Sequence, residues 1–311
     1  MNILKKRKAK LKLKTIDTIA LTAMCLIPAA FVIAFSYVPM FGIVLAFKQF
    51  RFDKGIWGSD WNGLKNFEFL LKSGNLVRLV RNTVGMNLLF ILVGTVSAVA
   101  VAILLFEVKK RIKVKVYQTL MLLPHFISWV IVSYMSYALL NPSAGIFNSI
   151  LQGLGMNPVD WYGNPKYWPW ILVITSVWKG VGYSSIVYYA SLMGIDNGYF
   201  EAARIDGATK WQEIKYITIP SLIPIITIQS ILSVGSILRA DFGLFYQVTR
   251  DVGALYPVTD VLDTYIYRAL LEQNNVALSS AAGFLQSVVG CVLVLVTNWI
   301  VNRIEPDNAL I

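Results

Sequence analysis

A chain of 311 residues that is 56% apolar, with a mean hydropathy of +0.60, carries more apolar side chain than a soluble domain, for which about 45–50% is usual. The excess is gathered into long runs, which excludes a single soluble core and indicates a polytopic membrane protein. The net charge of +11 sits beside apolar runs, where it signals orientation and contact with anionic headgroups rather than nucleic-acid binding; the two cysteines, Cys25 and Cys291, lie inside apolar runs and exclude a disulfide scaffold or a cysteine metal site.

Residues 1–15 form a basic leader, with Lys5, Lys6, Arg7, Lys8, Lys10, Lys12 and Lys14 ahead of an apolar stretch reaching about residue 47. That stretch exceeds the roughly 7–15 residues of a signal-peptide core and shows no small-residue cleavage site, so it reads as a first span. Six spans are predicted, at about 18–47, 83–106, 119–140, 168–193, 221–240 and 278–301, and 16–311 is one integral membrane domain. Pro28 and Pro39 predict a kink or an early exit in the first.

The connections carry their own patterns. Trp61, Leu64, Phe67, Leu70 and Leu71 fall near helical spacing and predict an amphipathic helix over 61–72. The stretch 141–167, with Asn141-Pro142, Gly145, Gly153, Gly155, Asn157-Pro158 and Asn164-Pro165, predicts a turn-rich loop. Val261, Leu262, Tyr265, Ile266, Ala269 and Leu270 recur in pairs every four residues, with Asp260, Asp263, Thr264 and Arg268 opposite, and predict a second amphipathic helix. Each helix reads either as packing on the bundle rim or as a landing surface for an extracellular partner. With six spans, sixteen Lys and Arg fall on the side of the leader and eleven on the other, which predicts both termini cytoplasmic.

All seventeen acidic residues fall outside these six spans. That argues against the intramembrane carboxylate relay of an ion- or proton-coupled carrier, the alternative reading, and against a membrane-embedded acid–base enzyme. His125, the only histidine, stands beside Pro124 and reads as a structural hydrogen-bonder. No G-x-x-x-x-G-K-[ST] occurs and Gly-Lys is absent altogether, so energy for transport would come from another polypeptide.

The segment 196–220 is polar between two long apolar runs. Tyr199 to Ile205 predicts a short helix, Gly207 a sharp turn, and Thr209 to Ile217 a second helix with Trp211, Ile214 and Tyr216 to pack; Pro220 marks the start of the next span. Ala202, Ala203 and Ala208 leave little bulk, so the surface can seat in a groove, and Glu201 offers a carboxylate to a partner arginine.

Glu201-Ala202-Ala203, then Gly207, then Ile217-Thr218-Ile219-Pro220 resembles the EAA loop of ABC importer permeases, with Ile219 where leucine is more usual. The runs Phe35-Ser-Tyr-Val-Pro-Met-Phe-Gly, Gly63-Leu-Lys-Asn-Phe, Arg81-Asn-Thr, Leu123-Pro-His-Phe-Ile-Ser-Trp, Trp178-Lys-Gly-Val-Gly-Tyr and Asp263-Thr-Tyr-Ile-Tyr-Arg are similar to the polysaccharide-type branch of carbohydrate importer permeases, over about residues 16–303. The resemblance implies an all-α polytopic membrane protein of six transmembrane helices with type I ABC importer permease (MetI-like) architecture, in a bacterial plasma (inner) membrane. It implies a half-transporter that pairs with a second homologous permease, binds two copies of an ABC ATPase and receives an oligosaccharide from an extracellular solute-binding protein. This chain then needs no cofactor, because ATP and magnesium belong to the ATPase. Glu201, Ala202, Ala203, Asp206, Gly207, Ile217 and Pro220 would form the ATPase-coupling loop.

A sugar path calls for aromatic faces together with amides and hydroxyls. Asn87, Tyr134, Tyr137, Trp178, Tyr183, Tyr188, Gln229 and Ser233 are candidates by residue type, though Tyr and Trp also serve interfacial belts and the polar side chains also bridge helices. Lys179, inside the fourth span, and Arg239, near the outer end of the fifth, either snorkel to an interface or face a wet path.

Overall fold

Backbone polar groups in hydrocarbon must be satisfied within the segment, so long apolar runs fold as helices. The computed structural model describes residue 18 and residues 20–304; the basic leader over 1–15 and the tail beyond 304 lie outside the described residues. Among the described residues five helices are long and apolar enough to cross a membrane: Ala20–Phe47, Asn75–Phe106, Pro165–Leu192, Lys210–Gly235 and Val276–Arg303. A sixth crossing arises if Arg111–Phe126 and Trp129–Leu140, which meet at 93°, count as one span.

That bend corrects the continuous third span expected over 119–140. Pro124 removes one backbone donor near the end of the first half. Ile127 and Ser128 are extended, with ψ of 131° and 150°. Ser128 then restarts the helix as an N-cap, its Oγ accepting from Ile131 N–H at 3.4 Å.

Other boundaries move as well. The second span starts at Asn75 rather than 83, because Gly74 in the left-handed region (φ 70°) lets the connecting segment turn directly into it. The fifth helix runs from Lys210 to Gly235, not 221–240, and Pro220 stands in the first turn of its α-helical part, Ile219–Gly235. A π turn over Ile214–Thr218 widens the helix just ahead of Pro220, whose ring would otherwise meet the carbonyl four residues back. In the first span, residues 20–32 are α-helical through Pro28. The irregularity comes later, as a π stretch Ile33–Tyr37 and a 3-10 stretch Val38–Phe47 that has Pro39 in its first turn.

The second and fourth spans form the centre of the bundle. Ala98 and Ala102 pack against Tyr188, Leu192 and Leu222 in one buried cluster. Gly182 lets the fourth span close on the third segment, since a Cβ there would lie 1.9 Å from the Met121 carbonyl oxygen. At the opposite end a larger cluster joins Met86, Val132, Trp168, Leu172, Phe245 and Val248. The first span is exposed along most of its length and docks by its end, where Phe47 meets Phe67 at 5.3 Å and Phe284 at 5.5 Å.

The connections at that end are ordered. The expected helix over 61–72 is shortened to Lys65–Lys72, with Leu70 buried and Trp61 taken into a two-stranded hairpin against Lys48. The loop 141–167 contains a helix, Ile146–Gly153, as well as turns. Asn148 fixes it: its amide donates to the Pro142 and Val159 carbonyls and accepts from Val159 N–H and Trp161 Nε1.

The expected second amphipathic helix is present as Leu262–Leu271, but its polar side is buried rather than wet. Arg268 bonds Asp260 and reaches Asp251 at 2.7 Å, and Arg78 on the second span reaches Asp260 at 2.9 Å. Asn82 donates to the Asp260 carbonyl and Thr83 accepts from Leu262 N–H. The helix is packed into the bundle; Leu271 remains exposed on its outer side.

Candidate functional site

Two surfaces carry the sequence-predicted residues, one at each end of the fifth helix. The first is the segment 197–220. Asp196 caps the helix Asn197–Ile205 through Gly198 N–H at 2.9 Å. Gly207, at φ 80°, closes it in the left-handed conformation that side chains with a Cβ avoid, while Ala208 N–H bonds the Ala203 carbonyl. Thr209 opens the next helix with a reciprocal capping box to Gln212. The two short arms expected around Gly207 are therefore present, and the second continues into the fifth span without a break.

Ala203, Asp206, Gly207 and Ile217 line one cleft of about 340 Å³ together with Gln212, Glu213 and Tyr216. Glu201 and Ala202 are exposed on the first arm and Pro220 lies exposed further along the helix, all outside that cleft. Trp211 and Tyr216 do not pack inward as expected: they are 69% and 65% exposed, beside Ile205 at 86%. A surface rich in apolar side chains at a polar turn suits a protein contact.

An ion-pair network beneath this surface is absent from the sequence reading. Glu213, 2% exposed, accepts from Arg204 Nε at 2.9 Å and from Lys210 Nζ at 2.7 Å. Lys210 also reaches Glu107, at the end of the second span, at 3.1 Å. The hydrogen bond to Glu213, and then its charge, raises the Arg204 guanidinium further above its ordinary value. Arg204 and Glu213 are nine residues apart across the Gly207 turn, and only the turn's geometry brings them together. The network locks the first arm to the second and ties both to the second span.

The other surface is a cleft of about 450 Å³ between the second, fourth and fifth spans. Five candidates line it: Asn87, Tyr183, Tyr188, Gln229 and Ser233, with Phe90, Thr95, Ser184, Ser236 and Arg239. Asn87 donates to the carbonyls of Ile237 and Arg239, 2.7 and 3.1 Å away, and holds the turn that follows the fifth helix. Tyr183 stacks on His125 with ring centroids 4.7 Å apart, and Tyr188 is largely buried.

The remaining candidates lie elsewhere. Tyr134 borders a smaller hollow with Gln247 and Arg250, Tyr137 packs against Tyr162 with the Arg250 guanidinium 4.0 Å from its ring centroid, and Trp178 borders neither of the clefts described above. Lys179 neither snorkels nor faces the cleft. Its Nζ donates to the carbonyls of Pro124, His125 and Ile127, at 3.3, 2.7 and 2.7 Å, and lies over the Trp129 ring. It satisfies the acceptors released where the third segment breaks. Among the described residues no group of His, Cys, Asp and Glu is arranged to hold a metal ion.

Comparison with known proteins accords with this arrangement. Residues 90–308 match the family described as binding-protein-dependent transport system inner membrane component. The polygalacturonan/rhamnogalacturonan transport system permease protein YteP of Bacillus subtilis (strain 168) is 32% identical over 98% of this chain and 94% of its own length. The crystal structure of a bacterial ABC transporter involved in the import of the acidic polysaccharide alginate contains a chain that superposes with a TM-score of 0.83 at 34% identity, covering 92% of this chain and 96% of that one. A second structure of the bacterial alginate ABC transporter, in complex with an alginate pentasaccharide-bound periplasmic protein, matches with a TM-score of 0.81 at 34% identity, over 92% and 94%. With the matched region spanning most of its length, the chain belongs to the inner membrane components of binding-protein-dependent transport systems.

Proposed function

We propose that the chain is one of two unlike permease subunits of an ATP-driven importer, which takes an oligosaccharide from an extracellular solute-binding protein and passes it into the cytoplasm. The observation that carries this reading is the single helix Lys210–Gly235. Near its start Gln212, Glu213, Tyr216 and Ile217 border the exposed cleft, and near its end Gln229 and Ser233 border the polar, aromatic one. Ile217 and Gln229 stand about 18 Å apart along a helix rising about 1.5 Å per residue. A partner that moves the first cleft therefore moves a wall of the second.

In this reading two copies of an ABC ATPase hold ATP and magnesium, and each inserts into a cleft such as the one around Gly207. Glu201, Ala202, Ala203, Asp206, Gly207, Ile217 and Pro220 belong to the coupling surface. ATP binding closes the ATPase pair and draws the coupling surfaces together, the helices rock, and the sugar path opens to the binding protein; hydrolysis resets it. Both termini are cytoplasmic and the host membrane is a bacterial inner membrane.

The test is assembly. Affinity purification of this chain should bring down a second permease and two ATPases, and Glu201→Lys or Gly207→Asp should cut ATPase recovery and ATP-dependent uptake at least tenfold while membrane insertion persists. Undiminished recovery and uptake in both variants would remove this segment from the coupling role.

A further inference from the structure

The membrane cleft has a charge that its other residues leave unanswered. Its lining comprises amides (Asn87, Gln229), hydroxyls (Thr95, Ser233, Ser236 among them), aromatic rings and one cation, Arg239, with no carboxylate among the described lining residues. Arg239 stands past the end of the fifth helix, in a turn that is held firmly: Asn87 grips the Ile237 and Arg239 carbonyls, and the Asp263 carboxylate accepts from Ala240 N–H at 2.7 Å. Among the described residues the Arg239 guanidinium forms no hydrogen bond and no ion pair. The acid that influences it is Asp263, whose oxygens are already committed to Ala240 and Gln286. The side chain also borders a second hollow of about 370 Å³ beside Gly290 and Val294, and no carboxylate lines that one.

A neutral sugar needs no fixed charge in its cleft, and Arg239 is exposed at the cleft, open to an anion that enters it. Guanidinium and carboxylate pair through two parallel hydrogen bonds, a geometry that ammonium lacks. We infer that Arg239 reads a carboxylate on the transported sugar, so the substrate class is an acidic, uronate-containing oligosaccharide. Gln229, whose side-chain amide has no hydrogen bond among the described residues, supplies a neighbouring donor and acceptor for sugar hydroxyls. This rests on the importer reading above and adds to it a specificity-determining residue.

The experiment uses the assembled complex with its binding protein in proteoliposomes. The labelled probes are a galacturonate trisaccharide, a mannuronate trisaccharide and a carboxyl-reduced, neutral galactose trisaccharide. The wild type should take up at least one acidic probe and favour it over the neutral one. Arg239→Gln should raise its half-saturating concentration roughly ten- to hundredfold, the size expected for a lost charge-assisted pair, and Arg239→Lys should recover part of the loss. Copurification of the ATPase with each variant separates this from failure to assemble. Equal half-saturation for wild type and Arg239→Gln would overturn the inference, as would uptake of the neutral probe alone or of no probe by an assembled complex. Absence of an associated ATPase would instead remove the importer reading beneath it.

Discussion

Lys179 shows how one side chain settles the shape of a whole segment. The carbonyls of His125 and Ile127 lose helical partners at the break and converge on its ammonium group, which also reaches the Pro124 carbonyl, still met by Ile127 N–H at 3.2 Å. A hydrogen bond to a charged group contributes about 1.5–3 kcal/mol. Lys179→Met should therefore destabilise the detergent-solubilised chain by about 2–4 kcal/mol, read as a lower Tm, with Lys179→Arg much milder; an unchanged Tm in Lys179→Met would show that water serves the carbonyls equally well. Ser128→Ala should cost about 1 kcal/mol, the usual worth of an N-cap. The signals for the break were in Leu123-Pro-His-Phe-Ile-Ser-Trp, with a proline near a helix end and a serine suited to capping a restart. Apolar content on both sides hid them, since hydropathy is blind to direction. The partner, Lys179, lies more than fifty residues away, and no local pattern links it to those carbonyls.

At the scale of elements, long apolar runs and turn chemistry were the legible part. The two arms around Gly207 are where glycine and the Thr209 box place them. The illegible part was continuity: Pro220 does stand where the α-helix Ile219–Gly235 begins, yet the π turn Ile214–Thr218 joins that helix to the second arm. Periodicity found the helix Leu262–Leu271 but left its charged side unplaced, because the pairing of Arg268 with Asp260 and Asp251 that makes burial tolerable exists only in three dimensions. The arms themselves depend on Glu213. Glu213→Gln removes the charge that Arg204 and Lys210 share, and amides over 197–208 should then exchange hydrogen at least tenfold faster, with those of 222–232 unchanged. Equal protection across both stretches would mean that the backbone caps alone hold the arm.

On the scale of the whole molecule, the connections sort into two ends. Lys210 meets Glu107 and Phe200 meets Phe106 at one, which puts the second–third and fourth–fifth connections together as the alternation of spans requires. At the other end Arg78 meets Asp260 and Tyr162 meets Val248. Glu213 and Asp260, the most deeply covered acids among the described residues, are each paired with cations, which leaves neither as a free carboxylate relay. In the proposed importer the driving force comes instead from a partner acting on the arms around Gly207. Uptake of labelled oligosaccharide by proteoliposomes of the complete complex tests this most directly, with ATP supplied to the ATPase side or with a proton or sodium gradient alone. The account predicts uptake with ATP that persists when an uncoupler collapses the gradient; gradient-driven uptake without ATP would contradict it.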